Sequence, residues 1–232
     1  MIFAVDEGLF GLFPALKIGV VVCEIDNIRY GEDGLEEVID DLIIHFTFER
    51  TQDHPNIKVW REAFKKMGIP VTKYQSSMET LLKRALKGGP FPRFSPVVDL
   101  YNAISLKHLV PIGGHAIGGI DGNIRLGFAD GTETFIPLDM GERENVDKGE
   151  VVYKDDKEVL TRRWVWRQSN KDRIESETTR VFLPVNVMSG LPEWLCESVV
   201  RDLSESVLVN EYGRIVHREI LTKDKRETEF SF

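Results

Sequence analysis

Residues 91–141 read FPRFSPVVDLYNAISLKHLVPIGGHAIGGIDGNIRLGFADGTETFIPLDMG, and this stretch decides the fold. It holds a helix start, a glycine-dense loop and two alternating runs in succession. Ser95-Pro96 supplies an N-cap and a proline at the first helical position, where a missing N–H costs nothing. Val97, Val98, Tyr101 and Ile104 recur at helical spacing, which puts Asp99 and Asn102 on the flank of the apolar stripe. Pro111 stops the helix. Gly113, Gly114, Gly118, Gly119 and Gly122 follow, a density that suits unusual backbone angles or close approach of a ligand. Beyond them, residues 123–128 and 132–136 alternate apolar and polar side chains around Asp130-Gly131, which predicts a hairpin.

Upstream, residues 2–5 and 18–25 read as strands, and the continuous apolar run 19–23 suits a strand buried on both faces. Leu35, Val38, Ile39, Leu42, Ile43 and Phe46 predict an amphipathic helix with an acidic outer face. Ile57, Trp60, Phe64 and Met67 predict a second helix closed by Gly68. Met78, Leu81, Leu82, Ala85 and Leu86 predict a third, stopped at Gly88-Gly89-Pro90. Downstream, 149–153 and 159–166 read as strands around Asp155-Asp156-Lys157. Residues 180–187 read as another, which Pro184 confines to an edge or bulge. Pro192 opens a last helix with Leu191, Trp194, Leu195, Val199 and Leu203 on one face, and a charged, loosely held tail follows from Thr222. Helices first, strands later and no regular βαβ alternation predict an α+β fold.

The 232 residues are enough for one core of ordinary size, and the composition, 42% hydrophobic and 29% charged, is globular. No segment has the apolar length of a membrane span, and the N-terminus meets Asp6 and Glu7 without a basic region, unlike a signal peptide. The expectation is a cytoplasmic protein with no membrane contact. Cys23 and Cys196 sit in apolar surroundings without metal-like spacing and read as reduced core thiols. Net charge is −8, which argues against a nucleic-acid partner, but the charge is uneven. Acids dominate residues 1–50, including Glu32, Asp33, Glu36, Glu37, Asp40 and Asp41. Bases dominate 58–107 and recur at Arg162, Arg163, Arg167, Lys171 and Arg173. These read either as solvated faces or as one phosphate-binding face.

Several chemistries lack their signatures. There is no G-x-S-x-G, no phosphate-binding P-loop and no G-x-G-x-x-G. The histidines at 45, 54, 108, 115 and 217 form no H-E-x-x-H, so neither a metal nor a cofactor is expected. What remains is the loop. His115, flanked by glycine, reads either as a loop histidine bonded to backbone or as a group orienting a water or an ester carbonyl. Asn102 reads as a helix-to-loop hydrogen bond or as an amide that orients a carbonyl or an amine. On an alternating strand Arg163, Val165 and Arg167 share one side with the tryptophans opposite, beside Gln168. Two arginines on one face suit a carboxylate or phosphate, or salt bridges to neighbouring strands.

The run Val97-Val98-Asp99-Leu100-Tyr101-Asn102, Pro111 with its glycine loop and the paired runs after it resemble the B3/B4 domain of the phenylalanyl-tRNA synthetase beta subunit. Free-standing B3/B4 proteins are the nearer likeness. The approach LLKRALKGGPFPR, the segment RRWVWRQS over 162–169 and Glu177-Thr178 before a strand belong to the same pattern. The likeness is good over about 77–187. It implies a single domain over 1–232, with its core at 77–187, an N-terminal strand–helix portion at 1–76 and a C-terminal helix and tail at 188–232. N-terminal helices would pack on mixed and antiparallel sheets.

In the synthetase that domain hydrolyses tRNA-Phe mischarged with tyrosine. It uses an asparagine on the helix, a histidine in the loop after it, and a later glutamate that reads the tyrosine hydroxyl. Asn102 matches the asparagine. The ungapped register puts Gly113 at the histidine position, with His115 two residues on, and Pro184 at the glutamate position. Together with the readings of the loop and the 162–169 strand, this leaves Asn102 and His115 as catalytic candidates and Gly113, Gly114, Arg163, Arg167 and Gln168 as candidate substrate contacts. By register alone, Asn102 ranks above His115. The implied partner is tRNA or aminoacyl-tRNA, edited in trans without metal or cofactor. The alternatives are a non-catalytic module for an amino-acid-like small molecule or for RNA, and a scaffold whose partner docks on the acidic helix.

Overall fold

The computed structural model describes residues 1–26, 34–139, 141–209 and 212–232. Glu32 and Asp33 of the acidic segment lie outside these. Strand β1 (Ile2–Val5) leads into a short helix α1 (Glu7–Leu12), whose N-cap Asp6 accepts from the Gly8 N–H. Strand β2 (Lys17–Ile25) follows, then helix α2 (Leu35–His45), helix α3 (Pro55–Lys66) and helix α4 (Ser77–Leu86). Helix α5 (Pro96–His108) begins as its sequence requires, with the Ser95 hydroxyl accepting from the Val98 N–H and Pro96 in the first turn. Then come β3 (His115–Ala116), β4 (Ile124–Phe128), β5 (Thr134–Phe135), β6 (Glu144–Asn145) and β7 (Val151–Lys154). The chain continues through β8 (Val159–Arg162), β9 (Arg167–Gln168) and β10 (Arg180–Val187). Helix α6 (Leu195–Val209), β11 (Gly213–Leu221) and β12 (Glu227–Glu229) complete it.

The architecture is α+β. A mixed sheet runs β12-β1-β4-β7-β8-β9, in which only β1 and β4 are parallel, and an antiparallel sheet runs β11-β2-β10-β3. Alternation along β2 explains its continuous apolar run. Ile18, Val20 and Val22 face the mixed sheet, meeting Phe3, Leu126, Tyr153 and Leu160. Val21, Cys23 and Ile25 face the other way, against Val97, Leu100, Tyr101 and Ile104 of α5 and Val199 and Leu203 of α6. Both faces of the strand are therefore buried, as a run without polar residues demands. Each such side chain contributes about 1.5–3 kcal/mol. A satellite core joins Leu35, Ile57, Met78 and Leu82 to Ala103 and Leu106, tying α2, α3 and α4 to the far side of α5.

Four expectations are corrected. The hairpin around Asp130-Gly131 does not form, because both edges of β4 are taken by β1 and β7, while β5 pairs with β6. The strand expected over 159–166 ends at Arg162: Arg163 and Trp164 have φ of 46° and 63°. That left-handed pair, unfavourable by about 1–2 kcal/mol per residue, drops the Trp164 ring into the core against Phe13 and Trp60. Trp194 is 63% exposed and lies outside α6, so it is not on that helix's buried face. The tail is held, since β12 pairs with β1 and Phe230 is buried. Pro184 is a subtler case. β10 lies inside its sheet, with Pro184 in register with Val20 of β2, but β3 reaches only Val181 and Phe182, so on that side the proline faces loop rather than a strand.

Candidate active site

Helix α5 ends in a left-handed residue, Leu109, with φ 51°, and the Ser105 hydroxyl donates to the Val110 carbonyl 2.6 Å away. The chain thereby reverses and runs back along β10. The Asn186 N–H donates to the Pro111 carbonyl at 2.9 Å and the Gly113 N–H to the Pro184 carbonyl at 3.0 Å. His115 then pairs with Phe182 in register. Gly114 lies against the Tyr101 ring so closely that a Cβ there would collide with Cε1. A larger residue would push the loop off the helix. The turn at 163–166 closes the third side.

Between these segments are two adjoining chambers. The inner one, about 130 Å³, is lined by Asn102, Gly113, His115, Trp164, Pro184 and Asn186 among others. The outer one, about 450 Å³, takes in Gly114, Leu138 and Ile174. Tyr101, Asn102, Trp166, Arg167 and Gln168 line both. Asn102 thus sits where the chambers meet. Its side-chain amide has no hydrogen-bond partner among the described residues.

His115 is buried, and its Nδ1 hydrogen-bonds to Oδ2 of Asp172, itself wholly buried. With the carboxylate accepting, Nδ1 carries the proton and Nε2 is left as an acceptor. Nε2 lies 3.4 Å from the position a Gly113 Cβ would take, on the inner chamber. Burial pushes the Asp172 carboxyl above its ordinary range, although His115 opposes this. Its Oδ1 has no hydrogen-bond partner among the described residues.

Deeper in, the Asn186 Oδ1 accepts from the Tyr153 hydroxyl at 2.6 Å and the Trp164 Nε1 at 2.9 Å, while its Nδ2 donates to the Pro184 carbonyl at 3.3 Å. Burial pushes the Tyr153 phenol well up. The inner wall is therefore aromatic, with its polar atoms engaged by one another. Gln168 Nε2 donates to the Gly114 carbonyl and fixes the loop between the chambers.

Asn102, Gly113, Gly114, His115, Arg167 and Gln168 are thus brought around one cavity. Arg163 is not. Its guanidinium stacks 3.9 Å above the Tyr74 ring, near Asp147 and Glu150, away from both chambers. The same-side alternation with Arg167 fails because the strand is interrupted by the left-handed turn. Arg167 pairs with Asp139 and Glu144. Sequence reasoning passed over Asp172, Tyr101, Asn186 and Trp166 as site residues. Asp172 sits between Lys171 and Arg173 in a basic-looking segment, and no spacing relates it to His115.

The basic residues of 162–173 are engaged, whereas of the lysines and arginines between 58 and 107 only Arg61, Lys83, Arg93 and Lys107 have acidic partners among the described residues. Arg162 pairs with Glu144 and Glu150, Lys171 with Asp121 and Asp155, and Arg173 with Glu175. Arg61 and Lys83 share the buried Glu79, Arg93 meets Asp99, and Lys107 meets Asp202. Arg84, on the outer chamber, has no acidic partner among the described residues. No helix among the described residues is long and apolar enough to cross a membrane.

A crystal structure of an N-terminal fragment of the phenylalanyl-tRNA synthetase beta-subunit from Pyrococcus horikoshii is similar to this chain at 17% identity and a TM-score of 0.48. The match covers 98% of this chain and 54% of that one, so the chain spans about half the length of the fragment. No curated protein matches significantly. The sequence profile of the B3/4 domain matches residues 59–191, from the middle of α3 through α5, the glycine loop and both chamber walls to the end of β10. With more than half of its length inside that match, the chain belongs to the B3/4 domain family.

Proposed function

We propose that this domain, related to part of a tRNA synthetase, binds the aminoacyl end of an aminoacyl-tRNA and hydrolyses its ester bond in trans. The observation that carries this reading is His115: oriented by Asp172 on Nδ1, it turns Nε2 to a chamber beside the unpartnered Asn102 amide. The amino-acid side chain occupies the inner chamber and the ester carbonyl lies at Asn102. His115 Nε2 takes a proton from water as the water oxygen bonds to the carbonyl carbon. The Asn102 N–H groups stabilise the oxyanion. The ester C–O bond then breaks, and the proton passes from His115 to the leaving ribose oxygen. The products are a free amino acid and a tRNA with its hydroxyl restored.

The inner chamber suits an apolar side chain. Asn186, Tyr153 and Trp164 already satisfy one another, so a substrate hydroxyl brought there loses its water without a ready replacement. Pro184 stands where the resemblance places a hydroxyl-reading glutamate, and it offers no carboxylate. Gly113, at the family's histidine position, leaves room for His115 to reach the same chamber, since a Cβ there would stand 3.4 Å from His115 Nε2 and 3.3 Å from Pro184 Cγ.

The second reading is a non-catalytic module for an amino-acid-like small molecule. The ion pairing of the 162–173 bases favours it, because paired cations bind phosphate weakly. A deacylation screen over mischarged tRNAs, with wild type and His115→Ala, separates the two. The expected result is hydrolysis of one or a few apolar aminoacyl esters, lost in the variant, with binding that weakens steeply as salt rises. Binding of free amino acids with no deacylation of any tRNA overturns the hydrolase in favour of the module.

A further inference from the structure

We infer that the open edge of β11 takes an extended segment of another protein, one that sets an acidic side chain between two apolar ones in the groove beside α6. This goes beyond the reading above and does not rest on it, since β3, which carries His115, is the far edge of the same sheet. β11 runs 9 residues and pairs with β2 on one side, and among the described residues no strand lies on its other side. Edges of this length are usually blunted. Here a bulge between Ile215 and His217 disrupts the first half, but from His217 to Leu221 the register with β2 is unbroken. The Ile220 N–H donates to the carboxylate of its neighbour Glu219 at 3.2 Å, a side chain standing where a further strand would bring a carbonyl. Backbone pairing on such an edge, with pockets for alternate side chains, is how proteins hold extended peptides.

The groove supplies the specificity. α6 packs on the sheet through Val199, Val200, Leu203 and Val207. Between its flank and β11 is a cleft of about 410 Å³ lined by Glu197, Val200, Arg201, Arg218, Glu219 and Ile220. At about 100° per residue, Glu197, Arg201 and Leu208 fall within about 40° of one another on α6. Leu208 is 51% exposed, and the Tyr212 N–H returns to the Val207 carbonyl at 3.0 Å, which brings that end of the helix to the start of β11. Along the groove the order is Val200 with Ile220, then Arg201 with Arg218, then Leu208 toward Ile215. Side chains two apart on an added strand share one face, so an apolar–x–acidic–x–apolar segment presents its carboxylate to the arginines. Arg218 has no acidic partner among the described residues, and Arg201 meets Ser198 at 3.3 Å and Asp202 at 3.7 Å. Glu219 is already engaged by Lys225 and the Ile220 N–H, while Glu197 repels an acid at its end of the groove and so fixes the segment's placement. A second copy fits poorly. Pairing β11 with itself about a two-fold centred on Arg218 or on Glu219 sets like charges opposite each other.

The test uses the full chain, labelled for amide NMR, and the acetylated, amidated peptide Lys-Thr-Val-Thr-Glu-Thr-Val-Thr-Lys. Titration should shift the amide signals of β11 and α6 saturably, and the Arg218 and Ile220 amides should gain protection from exchange. Replacing the peptide's Glu by Gln should weaken binding about three- to tenfold. Arg218→Gln should cost as much, and the two losses should not add, because they remove one contact. Arg218 is exposed, so the variant keeps its fold, which circular dichroism checks. N-methylating the peptide amides on one edge should abolish binding while methylating the alternate set should spare it, as strand pairing demands. The inference is overturned by shifts that do not saturate or lie away from β11, by equal affinity for the Glu and Gln peptides, or by indifference to which edge is methylated. A chain that sediments as a dimer by itself, and that Arg218→Glu dissociates, places a second copy on this edge and overturns the peptide site.

Discussion

Lys171 and Asp172 are neighbours in the chain, yet Asp155, the carboxylate Lys171 binds, and Asp172 itself are in opposite conditions. Lys171 binds Asp155, which also accepts from the backbone N–H groups of Asp121, Lys157 and Glu158 at 2.8–2.9 Å. Burial pushes the Asp155 carboxyl up, but those hydrogen bonds outweigh it and hold the group below its ordinary range. Asp172 is the reverse. Among the described residues it has His115 as its single hydrogen-bonded side chain and an orphaned oxygen, and burial pushes its carboxyl up. A carboxylate surrounded by donors braces a turn. One left under-satisfied in the interior is destabilising by itself, and its use here is to hold an imidazole against a cavity. The contrast separates a structural ion pair from a positioning one without reference to any relative.

The largest expected effect tests the site directly. His115→Ala should lower deacylation about 10²–10⁴-fold, as removal of a general base does, measured below a thermal midpoint that itself falls because the buried Asp172 loses its partner. This reverses the ranking from register, because Asn102 has no partner holding it whereas His115 has Asp172. If Asn102→Ala proves the more damaging on the same mischarged tRNA, His115 is not the base.

Asp172→Asn should cost about a hundredfold through misplacement of the imidazole. It should also alter the pH–rate profile, which a purely structural aspartate would not move. Asn102→Ala should cost about ten- to a hundredfold, corresponding to one hydrogen bond of about 1–3 kcal/mol, read in kcat more than KM if the contact tightens at the oxyanion.

The smallest effect is on stability and has opposite signs in the two regions. The folded pKa of Asp155 is depressed, so its contribution is present above the unfolded value near about 4 and lost as pH falls through the folded value. The folded pKa of Asp172 is raised, so its contribution is present below about pH 4 and lost as pH rises through its folded value. Against wild type, Asp155→Asn should therefore be destabilising near neutrality, by about 1–3 kcal/mol, and converge in acid. Asp172→Asn should gain relative to wild type as pH rises. Thermal melts from pH 3 to 7 that give parallel slopes for the two variants would break the comparison.

Much of this molecule is local in origin, and that part is readable from the chain. Helices α3, α4 and α5 follow from 3.6-residue periodicity, the Ser95-Pro96 start and the glycine and proline stops, because helical hydrogen bonds join near neighbours. The run 19–23 within β2 announced its own burial, since an apolar run without polar alternation needs cover on both sides. Asn102 could be found on the flank of α5 for the same reason. What the tertiary structure decided is what distant segments supply. The parallel pairing of β1 with β4 took the edge that the expected hairpin needed. Burial of Trp164 overrode alternation and turned Arg163 away from the site. Asp172 reached His115 across 57 positions, a partnership with no periodicity to mark it, because it depends on the fold of β10 and the loop before it rather than on any window of sequence.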